Sequence, residues 1–363
     1  MKKGIALVLL GTMLLSGCGG QTEETTLPPT VPVTTAAPAT EPPTAAPTEA
    51  PTEALTEPVA FRNPLNGQPM AEESDLRPIA IMLNNHTEAL PQSGVGAADI
   101  IYETLVEGSI TRLCAVFSDA HEAGPIGPVR SLRPYFFDII RGYDAIASSA
   151  GGPSEALNPV YNLGYDYING IGSQGGSFYR DDWRKANRGY EHSLMVKGEK
   201  LYAAAEAEGM RLTAEADRDY GLHFDENALM GGEPVSSATI SFQNGGKTTK
   251  ITYHEDKQGY TAFQQGQEFI DANTKEPVVF RNVLVLRTDI GTASNGVHKT
   301  VRTTGEGQGL FFWDGKQMPI TWKRDELTDA FQYLDHSGNP ISMGVGKTYI
   351  AIISDNAPVE MTE

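Results

Sequence analysis

Two arginines three residues apart, Arg130 and Arg133, stand in IGPVRSLRPYF between prolines and directly ahead of an aromatic cluster. A guanidinium stays charged and presents a planar fork of donors, so such a pair suits a carboxylate or a phosphate. Downstream, YDAIASSAGGPSEAL sets Gly151 and Gly152 between an apolar strand-like run and a helix-like segment. A helix start after a strand turns free backbone N–H groups toward an anion. A third segment, FYRDDWRKANRGYEHSL, carries Arg180, Asp181, Arg184, Arg188 and His192 among Tyr179, Trp183 and Tyr190, a texture that suits a ligand-facing loop. If the two helix starts share the carboxyl edge of one sheet, they frame a crevice of positive potential. The competing reading is that Arg130 and Arg133 fix loops by pairing with Asp138, Asp144 or Asp181, and both stay open at this level. Asp181, Asp182 and Glu155 read as solvated or ion-paired carboxylates before they read as an acid–base pair.

Other motifs carry less. GVGKT at Gly344 to Thr348 has isoleucine at position 341, where a phosphate loop needs its first glycine, and strands flank it. GEGQG at Gly305 to Gly309 has no following helix, and both segments are expected to be turns. Gly152-Pro153-Ser154 has a proline before its serine and no identifiable histidine partner, which speaks against a nucleophile elbow. The seven histidines show none of the close pairing that metal sites use, so no metal and no cofactor are expected.

Positioning these residues requires a scaffold, and the chain divides by texture. Residues 61–230 alternate apolar strand-like runs (RPIAIMLNN, ADIIYETL, TRLCAVFSD, YDAIASSA) with helical stretches, which predicts an α/β or α+β layered domain. RPYFFDIIRG predicts a short helix with Pro134 in its first turn and Gly142 at its end. PSEALNPVYNLG predicts a second. SLMVKGEKLYAAAEAEG predicts a third, capped by Ser193 and stopped by Gly209. After glycines and a proline near Met230 to Pro234, residues 235–358 read as strand, turn, strand, with Asn244-Gly245 and Asp314-Gly315 as hairpin signals. A β-rich barrel or sandwich is expected there.

The first residues, MKKGIALVLLGTMLLSGC, read as a signal peptide over residues 1–17 that ends in a lipobox, with the Cys18 thiol as the site of lipidation. Residues 18–60, nearly all Thr, Pro, Ala and Glu, have too little apolar surface for a core. They predict a disordered tether that reaches on the order of 100 Å from the membrane. Membrane contact through the lipid on Cys18 and an extracytoplasmic place on the outer face of the cytoplasmic membrane follow. A net charge of −18 argues against nucleic acid and against broad contact with anionic lipid. With Cys18 lipidated only Cys114 remains, so no intrachain disulfide forms, and Cys114 in its alternating run reads as a small buried hydrophobe.

The long ordered motifs LPQSGVGAADIIYETLVEGSITRLCAVF, IGPVRSLRPYF, YDAIASSAGGPSEAL and FYRDDWR, followed by GQGLFFWDGKQMPITWKR and GKTYIAI, resemble the YerB-like family of bacterial lipoproteins over nearly all of the chain beyond the tether. The resemblance implies the two-part architecture and an envelope location but no reaction. It puts Arg112, Arg130, Arg133, Gly151, Gly152, Arg180, Asp181 and His192 in motif-bearing segments. The chain departs from the family at ANRGYEHSL, where a Pro-His-Asn tract is expected, and keeps only His192. A shorter likeness, VR followed by AGGPSEAL, is to the LytR-CpsA-Psr wall-polymer transferases. The expectation is a non-catalytic binding or scaffold lipoprotein of the cell envelope, whose arginine-lined pocket takes an anionic cell-wall component or an envelope protein. The alternative is an enzyme acting on a phosphorylated or polymeric wall substrate.

Overall fold

The computed structural model describes residues 61–227 and 231–363. The signal peptide, Cys18 and the tether lie outside the described residues, as does Met230 at the expected boundary. The N-terminal strand runs are largely apolar because both of their faces are covered. These strands are β1 (Ile79–Asn84), β2 (Ile100–Glu107) and β3 (Ile110–Phe117), and nearly every residue in them is buried. The chain then forms α1 (Pro134–Gly142), β4 (Ile146–Ser149), α2 (Ser154–Asn162), β5 (Tyr167–Asn169), β6 (Phe178–Arg180), α3 (Asp182–Asn187), β7 (Leu194–Lys197) and α4 (Gly198–Ala207). Pro134 opens α1, where a missing N–H costs nothing, as the sequence predicts.

Ser193 does not cap a helix. Leu194, Met195 and Val196 are buried as strand β7, paired with β6 and with Pro125–Ile126, and the helix begins only at Gly198. Burial of these three side chains between two neighbouring strands outweighs the capping signal. Gly209, with φ of 70°, follows the end of α4 as expected.

The second half contributes β8 (Ser237–Ser241), β9 (Thr248–His254), β10 (Gly259–Gln264), β11 (Asn282–Thr288), β12 (Gly305–Trp313), β13 (Lys316–Arg324), β14 (Thr348–Ser354) and β15 (Val359–Thr362). Asp314 and Gly315, both at positive φ, make the two-residue turn between β12 and β13. The segment Gly305 to Gly309, expected as a turn, is instead the first half of β12. A Cβ at Gly307 would sit 2.5 Å from the Trp322 indole nitrogen, so the glycine serves close cross-strand packing and not chain reversal.

One large sheet crosses both halves in the order β13-β12-β11-β14-β2-β3-β1-β4-β5. Strand β14, near the C-terminus, inserts parallel between β11 and β2, pairing Thr348 with Ile100 and with Asn282. The described residues accordingly form one unit. Alternate side chains of the sheet feed two cores. Tyr102, Cys114 and Val116 pack with Phe136, Phe137 and Ile140 of α1. On the opposite face Ile101, Leu113 and Ala115 join Leu201 of α4 and Ile240, Ile251 and Ala262 of a second sheet, ordered β10-β9-β8-β15. The layered N-terminal half and β-rich C-terminal half expected from sequence are present, joined through this sheet.

Candidate functional site

The arginine segment is held by backbone bonds on three sides. The Asn84 N–H donates to the Pro128 carbonyl, the Arg130 N–H to the Met82 carbonyl and the Val129 N–H to the Leu194 carbonyl. Toward β4, the Ala150 N–H donates to Arg130 O and the Leu132 N–H to Gly151 O. Residues 128–132 therefore run past the carboxyl ends of the parallel strands β1 and β4, where the two helix starts meet. Gly151 holds a φ of 64° that a side chain would oppose, and Gly152 lies against Leu132.

Within this frame the arginines divide. Arg133 is buried and donates through Nε to Glu107 Oε1 at 2.9 Å, through Nη2 to the same oxygen and through Nη1 to Leu132 O. Arg112, also buried, donates to Ser131 O at 2.7 Å and has Nη2 3.5 Å from Glu107 Oε2. Two guanidiniums thus share one carboxylate. Burial first, and then the facing Arg133 charge, pull the Arg112 guanidinium below its ordinary value. Arg130 differs: its side chain is 31% exposed and its Nη2 lies 2.5 Å from Glu191 Oε2 on the surface. The hydrogen bond from Arg130 holds the Glu191 carboxyl below the ordinary glutamate range.

His192 borders this arginine. Asn84 receives the His86 N–H on Oδ1, so its amide Nδ2 donates to His192 Nδ1 at 2.8 Å and leaves the imidazole proton on Nε2. The ring stacks on His86 at 5.2 Å, and burial, then the neighbouring His86, lower its pKa. Arg180 is turned toward the same short helical turn, its guanidinium 3.8 Å from the Tyr190 ring and its Nη1 donating to Tyr190 O. Asp181 caps α3, accepting the Arg184 N–H at 2.7 Å. Arg184 is buried and donates to Ala89 O and Pro91 O, while Arg188 meets Glu88 at the surface.

Of the residues singled out from sequence, Arg112, Arg130, Arg133, Gly151, Gly152 and His192 share this neighbourhood, with Arg180 reaching it through the 190–192 turn. Asp181 is committed to its helix. The carboxylates proposed as loop anchors serve elsewhere: Asp144 binds Arg77 and Arg211, and Asp138 meets Thr303. At the α2 start the Ser154 hydroxyl donates to Glu155 Oε2 at 3.2 Å, and hydrogen bonding at the helix start lowers the Glu155 pKa. Sequence reasoning missed Glu107, Asn84, His86 and Glu191. Glu107 leaves a trace, an acid at the hairpin between β2 and β3 within one turn of Arg112. Glu191 and Asn84 leave none, because only the fold brings them to Arg130 and His192. Among the described residues no group of three or more His, Cys, Asp or Glu side chains is placed to hold a metal.

Two family descriptions match this chain: Protein of unknown function (DUF3048) N-terminal domain over residues 65–211, and Protein of unknown function (DUF3048) C-terminal domain over residues 238–350. YerB of Bacillus subtilis (strain 168), classed by its name as a candidate lipoprotein, is 28% identical over 295 residues, covering 80% of this chain and 86% of its own length. The crystal structure of YerB protein from Bacillus subtilis matches with a TM-score of 0.72 at 27% identity, covering 83% of this chain and 99% of the other.

Proposed function

The chain belongs to the family built from the N- and C-terminal DUF3048 domains, whose description assigns no function, and from that premise we propose a lipid-anchored binding module of the cell envelope. Its ligand is an anionic group of a wall component or of an envelope protein, received at Arg130. The observation that carries this reading is the local charge balance. Arg112, Arg130 and Arg133 face Glu107 and a solvent-exposed Glu191, in a chain with net charge −18. An incoming phosphate or carboxylate can displace Glu191 from Arg130 at small cost, because exposed ion pairs contribute at most about 1 kcal/mol. Arg112 and Arg133 stay with Glu107 and hold the site's shape. Binding is favoured over catalysis because Asp181 caps a helix and His192 is bonded to an amide, so neither is set up as half of an acid–base pair.

Anchoring rests on the lipobox at Cys18 and on the name of the relative. Among the described residues no helix is long and apolar enough to cross a membrane. Metabolic labelling with an alkyne fatty acid marks the wild type and spares Cys18→Ala if the lipid is there. For the site, thermal unfolding of the purified protein is compared in phosphate and in chloride at matched ionic strength. The wild type gains stability in phosphate, and Arg130→Gln loses that gain while unfolding normally in chloride. Equal gains in both proteins remove Arg130 from the site.

A further inference from the structure

Away from the arginine crevice, a polar cluster lies sealed between the two sheets. Glu103 of β2, 1% exposed, points into the face covered by β8, β9 and β10. Lys247, at the end of the loop between β8 and β9, reaches down to it with a side chain 8% exposed and donates to Glu103 Oε1. Its Nζ also lies 2.6 Å from Gln264 Oε1 and 3.0 Å from Thr249 Oγ1. Asn85, 1% exposed, aims Nδ2 at that same Gln264 oxygen and at Glu103 Oε1, each at 3.0 Å. Thr111 Oγ1 at 2.5 Å and the Tyr349 hydroxyl at 2.6 Å hold the Glu103 carboxyl in place. The Phe242 ring, 5.1 Å from Nζ, closes the side.

An amine, an amide carbonyl, a carboxyl between them and a donor on the carbonyl oxygen are the parts of an acyl transfer. We propose that Lys247 and Gln264 become joined by an intrachain isopeptide bond, with Glu103 moving the protons and Asn85 stabilising the oxyanion. The Lys247 ammonium gives a proton to Glu103, leaving a neutral amine and a neutral acid. Desolvation lowers the Lys247 pKa, which favours the neutral amine. The amine attacks Gln264 Cδ, and the oxygen that becomes negative already receives the Asn85 N–H. Glu103 then gives its proton to the departing Nε2 and takes one from Nζ. The Nζ–Cδ bond forms, the Cδ–Nε2 bond breaks, ammonia leaves and Glu103 ends protonated, with no oxidant or cofactor required. A neutral amide replaces a buried ion pair and ties the entry of β9 to the end of β10. Cys114, the one cysteine among the described residues, is free, so this link is a covalent staple made without disulfide chemistry.

The experiment is peptide mapping by mass spectrometry of the full-length protein after trypsin digestion. A bonded Lys247 resists cleavage, so segments 219–250 and 258–275 should appear as one branched peptide, one ammonia lighter than the two together. Glu103→Gln, of the same shape, should give the two linear products with Lys247 cleaved. The wild-type digest decides the matter even if that variant folds poorly. Linear peptides from the wild type, or a Lys247 bond to Glu103 with loss of water, overturn the proposal.

Discussion

Replacing Glu107 with Gln removes the one carboxylate that Arg112 and Arg133 share and leaves two buried guanidiniums facing each other. Their side chains are 6% and 8% exposed, that of Glu107 is 22%. The carbonyls of Ser131 and Leu132 still accept hydrogen bonds, at 2.7 and 2.8 Å, but carry no net charge to offset the pair. Removing one partner of a buried ion pair costs about 3–5 kcal/mol, and the partial wetness of Glu107 points to the lower end, about 3 kcal/mol. The surface pair provides the contrast: with Glu191 64% exposed, Glu191→Gln should cost no more than about 1 kcal/mol. At about 2 °C per kcal/mol for a folded unit of this size, the first change lowers Tm by about 6 °C and the second by about 2 °C or less. Calorimetry and urea unfolding in chloride measure both. In a double-mutant cycle, adding Arg133→Gln to Glu107→Gln should cost less than the two single changes together, because the second change removes one of the orphaned charges. Glu107→Gln unfolding within about 1 kcal/mol of the wild type would refute the shared-carboxylate reasoning.

Gly198→Ala puts a Cβ 1.8 Å from the Ala120 carbonyl oxygen at the start of α4, a backbone contact that no rotamer relieves. It should destabilise by about 2–3 kcal/mol in urea unfolding, where an Ala at exposed Gly164 without a close neighbour costs about 1 kcal/mol through its positive φ alone. Cys114 is buried, and burial pushes its thiol well above the ordinary range, so an aromatic disulfide reagent should label it only in denaturant. His192 should titrate below the usual histidine value in a proton NMR titration, since burial and His86 oppose its charged form. The unfolded chain then binds the proton more readily than the native one. The His192 contribution is present above the ordinary histidine pKa and is lost as pH falls from there through the lowered native value. His192→Gln should accordingly lose less stability than the wild type between pH 7.5 and 5.5.

What was legible in the sequence is what neighbours along the chain decide. Periodicity and apolar runs placed β1, β2, β3 and β4, because side-chain alternation is a property of the strand itself. Pro134 announced α1, and Asp314-Gly315 announced its hairpin, because each acts through its own backbone angles. In the first sixty residues the lipobox motif and then composition carry the whole reading. The arginines, the two glycines and His192 could be singled out because their charge or conformational freedom is intrinsic. Only the tertiary structure decided what they face. Glu191 reaches Arg130 from sixty-one residues away, and Asn84 reaches His192 from one hundred and eight. Ser193 had a capping residue's chemistry yet precedes a strand, since β6 and Pro125–Ile126 offered its neighbours more burial than a helix would. The same holds for β14, whose apolar residues mark it as a central strand but do not say beside which partners. Its place between β11 and β2 follows from burying both faces of residues far apart in the chain, a choice made by the whole core at once and written in no single segment.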